Sequence, residues 1–277
     1  MKFGVSIFPT DYAISMSELA PAAEALGFES LWVAEHSHIP VSRLSRWPGG
    51  EEIPKQYSHT MDPFIALTVA AVASRTIRLG TGICLLVQRD PIHTAKEVAS
   101  VDLVSNGRFL FGIGAGWNRE EMADHGTDFS TRWKLLRERT EAIKAIWTKE
   151  EAEYHGDMVD FGPMWSWPKP VQKPHPPVLL GGSGPKILER VVRYADGWMP
   201  NRGDTVERIP ELQEMARAAG RDPIPVSVYP KPVAGEIERL TAAGVERCIY
   251  WVPPDGRDQA LAKLEELGRM IKPHLAG

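Results

Sequence analysis

Val178-Leu179-Leu180-Gly181-Gly182-Ser183-Gly184-Pro185, a stretch of helical period over 186–194, and Ala195-Asp196-Gly197-Trp198 form the unit on which the fold of this chain turns. A continuous apolar run opens into three glycines and a proline, passes into a helix and returns as a second short apolar run at Gly197–Met199. This order predicts a strand, a crossover helix and a parallel strand. Pro185 is expected at the first helical position, where its missing N–H costs nothing. Glycine lets a ligand approach the backbone, and the N–H groups of a helix N-terminus attract an anion, most commonly phosphate. A turn that needs glycine only for its dihedrals is the plain alternative, but three glycines within four residues favour a ligand.

The same alternation extends to both ends of the chain. Strand candidates lie at Phe3–Phe8, Leu31–Ala34, Ile77–Leu86, Phe109–Gly114, Val178–Gly181, Gly197–Met199, Val226–Tyr229 and Cys248–Val252, and each is followed by a segment of helical period. Continuous apolar strands joined through helices belong to a parallel sheet covered on both faces. Eight such units in 277 residues predict an α/β fold, a closed (β/α)8 TIM barrel formed by a single domain over 1–277, in preference to an open doubly wound sheet. Gly27 and Gly244 follow helices and precede strands, as helix C-terminal glycines do.

Two connections exceed ordinary barrel turns. Residues 37–61 leave the C-terminal end of the second strand, so they should wall the catalytic face. Residues 149–177, rich in proline and aromatic side chains, enter the fifth strand from a helix. They start on the opposite face, with the rim within their reach.

Composition narrows the function. Lysine and arginine total 32 against 36 acidic residues, a net charge of −4, and no basic block occurs along the chain. Nucleic acid and anionic membranes are therefore not expected partners. Cys84 and Cys248 sit in apolar runs and form no CxxC pair, which suits small buried thiols in a reducing compartment. Strand one begins at the N-terminus without a signal-like segment, and no apolar run approaches membrane-spanning length. A cytoplasmic location is the expectation.

Several strand ends carry chemistry. Strand two ends Ala34-Glu35-His36-Ser37-His38, which puts His36 at the barrel mouth as a candidate proton donor or acceptor. Glu35 is the candidate that orients it, although neighbouring strand residues face opposite ways unless the strand stops between them. Strand three ends Leu79-Gly80-Thr81-Gly82-Ile83, and its pair of glycines suggests a bulge or a flat ligand against the backbone. Strand four runs Phe109-Leu110-Phe111-Gly112-Ile113-Gly114-Ala115-Gly116-Trp117-Asn118. It lacks the third glycine of a dinucleotide fingerprint, but it leaves a thin wall at Gly114 and the amide of Asn118 free for a heterocycle edge. His36 and His38 have no third ligand at metal-site spacing, and Ser183 lacks a GxSxG elbow. No metal is expected.

Taken together, Ala25-Leu26-Gly27-Phe28-x-Ser30-Leu31-Trp32-Val33-x-Glu35-His36, Leu79-Gly80-Thr81-Gly82, Asp102-x-x-Ser105-x-Gly107-Arg108-x-x-x-Gly112-x-Gly114, Pro168-Lys169-Pro170-Val171-Gln172 with His175-Pro176-Pro177, and the Gly181-Gly182 unit resemble the luciferase-like monooxygenase superfamily. The likeness is to its deazaflavin (coenzyme F-420)-dependent oxidoreductase branch and spans nearly the whole chain. It implies that the strand ends hold a deazaflavin ring, with the phosphate at Gly181, Gly182, Ser183 and Gly184. It also implies Thr81, Gly82, Ile83, Gly114 and Asn118 around the ring, a non-prolyl cis peptide at Gly82-Ile83, and His36 and Glu35 on the reactive side. Sugar-phosphate dehydrogenases of this superfamily carry a glutamate where this chain has Ala115, a departure that sets their acid–base scheme and substrate aside. The activity implied is hydride transfer to or from a small organic substrate, in a homodimer. The alternatives are an FMN-dependent monooxygenase and a non-catalytic coenzyme-binding protein.

Overall fold

The structure, a computed structural model, describes residues 1–201 and 203–275. Eight parallel strands form a barrel: β1 (Lys2–Ile7), β2 (Ser30–Val33), β3 (Arg78–Thr81), β4 (Phe109–Ile113), β7 (Val178–Gly181), β8 (Gly197–Met199), β9 (Ser227–Val228) and β10 (Arg247–Trp251). Their order is β8-β7-β4-β3-β2-β1-β10-β9, and a parallel bridge between Trp198 and Val226 joins the two ends. All eight predicted strands are present, and the fold is the expected (β/α)8 barrel. The register carries Gly4 beside Ser30 and Val5 beside Tyr250, so the first and last strands pair without slippage.

Eight helices cover the outside: α1 (Met16–Ala25), α2 (Pro63–Ala73), α3 (Pro91–Val104), α5 (Arg132–Thr148), α6 (Ile187–Tyr194), α7 (Ile209–Ala218), α8 (Glu236–Ala242) and α9 (Arg257–Ile271). A short helix, α4 (Arg119–Asp124), follows β4 before α5. Local chemistry sets several starts. Asp62 accepts hydrogen bonds from the N–H groups of Phe64 and Ile65, Asp90 accepts from that of His93, and in each case proline opens the helix. Gly27 and Gly244 hold left-handed backbone just past α1 and α8, as expected of helix C-terminal glycines. No helix among the described residues is long and apolar enough to cross a membrane.

The main core lies between strands and helices, while a smaller cluster of Trp32, Leu110, Leu179, Met199 and Ile249 fills the barrel itself. Trp32 explains a glycine. A Cβ on Gly80 would overlap its ring, whose Nε1 donates to Ser30 Oγ at 2.9 Å. The Gly80 position is therefore regular strand packed against an indole, not a bulge.

Two local expectations are corrected, and one long connection gains structure of its own. β3 stops at Thr81; the rest of the predicted Ile77–Leu86 strand turns through a cis Gly82–Ile83 peptide into a short 3-10 turn at Leu86–Gln88. Helix α6 starts at Ile187, so Pro185 sits in the preceding turn, where the Ile187 N–H reaches the Gly184 carbonyl at 3.0 Å. Residues 149–177 contain a hairpin, β5 (Ala152–His155) and β6 (Asp160–Met164). It lies along α5: Glu138 accepts from the N–H groups of Met158 and Val159, and the Tyr154 hydroxyl donates to Glu141. The return leg seals the barrel end opposite the mouth, where Gln172 binds the Asp102 carboxylate and the Phe109 carbonyl. Two surface clefts, of about 540 and 340 Å³, also lie at that lower end, around Gly27 and around Asp196.

Candidate active site

At the upper end, β2 finishes at Val33, and the chain is no longer pleated when it reaches Glu35 and His36. The two side chains diverge. Glu35 turns outward: one oxygen accepts from the Leu85 N–H at 2.6 Å, the other from Arg89 Nε at 2.6 Å. Arg89 also binds Asp62 and Glu97. Burial works against the charge of Arg89, but the Glu35 carboxylate outweighs it and holds the guanidinium above its ordinary pKa. Burial, reinforced by Glu35, raises the Cys84 thiol well above its ordinary value. Glu35 thus fixes the Gly82–Leu85 turn and is not hydrogen-bonded to His36.

His36 takes a partner that the sequence reading missed. Its Nδ1 lies 2.9 and 3.1 Å from the two carboxylate oxygens of Glu121, a fully buried residue in α4. A carboxylate only accepts, so Nδ1 carries the hydrogen and Nε2 stays free. The imidazole packs between Tyr57 and Trp117, with ring centroids 5.0 and 5.9 Å away. A signal for Glu121 existed. Asn118 followed three residues later by glutamate is the spacing of a helix N-terminus, and Asn118 Oδ1 indeed accepts from the Glu121 N–H at 3.2 Å. Because the oxygen is so engaged, the Asn118 amide nitrogen points the other way, and it is buried with no hydrogen-bond partner among the described residues.

An orphaned donor of this kind costs about 1–3 kcal/mol, so the arrangement suits a ligand acceptor at Asn118 Nδ2. The walls nearby are close-packed. Thr81 Oγ1 donates to the Gly112 carbonyl at 2.7 Å, a Cβ on Gly114 would overlap Ile83, and one on Gly82 would overlap the Tyr229 hydroxyl. Thr81 and Gly114 therefore have packing tasks of their own. Tyr229 stacks on Trp251 at 5.4 Å, Trp251 on Phe8 at 5.5 Å, and Phe8 meets Tyr57 at 4.7 Å. These rings come from four separate segments and make an aromatic wall beside His36. Burial raises the pKa of both Tyr57 and Tyr229, so the phenols remain neutral donors.

The long 37–61 connection docks on α4 beside this wall. Glu120 accepts from the N–H groups of Leu44 and Ser45, and the Arg119 N–H reaches Ser45 Oγ. Hydrogen bonding from Ser45 and the two backbone groups pulls the Glu120 carboxyl down to about 2. Nearby, Ser37 Oγ lies 2.9 Å from His38 and 2.7 Å from His125, and His38 pairs with Asp124. No group of three or more metal-ligating side chains is assembled among the described residues.

The glycine turn after β7 is braced from β8. Trp198 Nε1 donates to the Gly182 carbonyl at 2.9 Å, and Asp196 binds the Val178 N–H, which gives the Ala195–Trp198 motif a structural task. Gly181 belongs to the strand ladder and the Gly182 N–H is spent on the Met199 carbonyl. Ser183 Oγ bonds Asn201. The N–H groups of Ser183 and Gly184, by contrast, meet no acceptor among the described residues. The cradle is thus narrower than the four-residue motif, and Gly184 has open space where a Cβ would stand.

A luciferase-like monooxygenase family model matches residues 1–274. A Mycobacterium tuberculosis H37Rv protein, itself uncharacterized, is 42% identical over 279 residues, covering 98% of this chain and 99% of its own. An F420-dependent hydroxymycolic acid dehydrogenase of the same organism is 27% identical over 221 residues, 78% of this chain and 56% of that one. Among solved structures, the coenzyme F420-dependent tetrahydromethanopterin reductase from Methanopyrus kandleri superposes with a TM-score of 0.79 over 99% of both chains at 22% identity. The match over nearly its whole length places the chain in the luciferase-like monooxygenase family.

Proposed function

We propose that this chain is a deazaflavin (coenzyme F-420)-dependent oxidoreductase that moves a hydride between the coenzyme and a small organic substrate. The buried, unpaired amide nitrogen of Asn118 beside an imidazole whose Nε2 is free carries this reading. The F420-dependent relatives support the choice of coenzyme. When bound, the deazaflavin supplies the redox chemistry, and the protein supplies orientation and a dry face.

The residues divide the work as follows. The N–H groups of Ser183 and Gly184 hold the coenzyme's phosphate, and Asn118 Nδ2 donates to an acceptor on the ring edge. Ile83 and Tyr229, over the thin wall at Gly82 and Gly114, back the ring. His36 Nε2 gives a proton to, or takes one from, the substrate heteroatom that changes oxidation state, while Glu121 keeps Nδ1 protonated and the ring still. Glu35, through Leu85 and Arg89, positions the turn behind the ring. The Phe8–Tyr57–Trp251–Tyr229 wall favours an apolar substrate over a sugar phosphate.

Gly184→Asp tests the phosphate assignment. Nothing lies within 4 Å of its Cβ position, so the variant should fold with an unchanged melting temperature. A carboxylate beside a phosphate should nevertheless weaken coenzyme binding about tenfold or more, read by fluorescence titration. Unaltered affinity would remove the cradle from the account.

The homodimer implied by the resemblance belongs to the same proposal. Ile65 and Val72, seven residues apart on α2, are 59% and 72% exposed, and Leu103 and Val104 at the end of neighbouring α3 are also bare. We assign this aliphatic face to a second copy of the chain. Sedimentation should give a dimer for the native protein and a monomer for Ile65→Glu/Val72→Glu; a native monomer at micromolar concentration would contradict it.

A further inference from the structure

Three arginines far apart in sequence meet at one rim of the mouth. Arg119 opens α4, Arg132 opens α5, and Arg190 lies in the first turn of α6. Arg119 and Arg132 sit over the Phe129 ring with guanidinium carbons 4.3 and 3.5 Å from its centroid, and Arg190 sits over Trp133 at 4.1 Å. Trp133 in turn lies 3.5 Å from where a Cβ on Gly182 would stand, so the cluster adjoins the glycine cradle.

None of the three forms an ion pair with a carboxylate among the described residues. Among the described residues, the only side-chain hydrogen bond in the cluster runs from Arg132 to the Phe129 carbonyl, and Arg132 Nε is buried with no partner. Burial lowers the pKa of Arg132, and both neighbouring arginines add to that effect while no acid offsets it. Three converging, uncompensated guanidiniums on aromatic platforms repel one another. Such a cluster is stabilised when an anion enters, since arginine binds carboxylate and phosphate through paired N–H donors.

We propose that Arg119, Arg132 and Arg190 form a second anion site next to the Ser183–Gly184 cradle, holding an acidic group further along the same bound coenzyme. This rests on the reading that the cradle takes the coenzyme's phosphate, and it adds a selectivity: the chain prefers a coenzyme whose tail bears several acidic groups to one that ends in a single phosphate. Coenzyme F-420, with carboxylates beyond its phosphate, meets that requirement; FMN does not.

The test compares the native chain with Arg119→Gln/Arg132→Gln/Arg190→Gln and with Arg119→Gln alone, whose side chain is the most exposed. Titration with coenzyme F-420 should show about a tenfold or greater loss in the triple variant, a smaller loss in the single one, and a flatter salt dependence in both. FMN affinity should change less than about twofold. An equal loss for both ligands, or none for F-420, overturns the proposal. Tripolyphosphate, an oligoanion without a ring, separates the cluster from the coenzyme assignment. It should raise the melting temperature of the native chain and not of the triple variant. If the native chain ignores F-420, the coenzyme reading fails; if tripolyphosphate protects native and variant alike, the arginine site fails.

Discussion

Replacing His36 with alanine is expected to lower turnover by about 10²-fold or more while coenzyme affinity stays within a few-fold, because general acid–base groups contribute on that scale. The imidazole is buried, held through Nδ1 by Glu121 and flanked by Tyr57 and Trp117, so its free Nε2 has one orientation. Removing it leaves the Asn118 amide and the Ser183–Gly184 cradle in place. Glu121→Gln separates holding from reacting. Its amide still hydrogen-bonds Nδ1 but no longer offers two equivalent acceptor oxygens, so the rate constant should fall by about tenfold with KM nearly unchanged. A loss confined to KM would mean that the pair shapes the pocket and moves no proton.

Gly112→Ala should be the most destabilising single-methyl change in the barrel. A Cβ there would collide with the Thr81 carbonyl oxygen, a backbone atom on the neighbouring strand that cannot rotate away. The collision must be relieved by parting β3 from β4, at about 1–3 kcal/mol or more for overpacking of this kind. In a chain of this length that corresponds to a fall in melting temperature of roughly 2–4 °C per kcal/mol. Gly184→Ala serves as the matched control, since its Cβ position is open, and it should melt with the native protein. Equal melting temperatures for the two variants would contradict the packing account of β4.

The barrel was legible because its determinants are local. Each strand is a short, largely apolar run, several helices carry their own cap or terminal glycine, as at Asp62, Asp90, Gly27 and Gly244, and the eight pairs follow one another in chain order. The β5–β6 hairpin escaped because its strands are short and mostly exposed: Ala152 and Tyr154 alternate with Glu153 and His155, but over four residues the alternation is too brief to stand out. α4 escaped for its length, six residues, although Asn118 and Glu121 marked its start.

The candidate site was legible only where a single residue at a strand end marks it, as with His36 and Asn118. What depends on convergence was hidden. Glu121 reaches His36 across 85 positions of sequence, the aromatic wall comes from four segments, and the three arginines lie at 119, 132 and 190. The absence of a basic block along the chain was accurate as a statement about sequence, yet the fold assembles a basic cluster from scattered residues. Glu35 shows the opposite error. Adjacent to His36 in the chain, it serves Arg89 and the Leu85 backbone instead.

Equilibrium binding of coenzyme F-420 and of FMN to the purified chain tests the central claim most directly. Micromolar binding of F-420, with FMN at least about tenfold weaker, is the result predicted from the relatives, the Asn118 donor and the cationic rim beside the cradle. Micromolar binding of FMN with no binding of F-420 would contradict it.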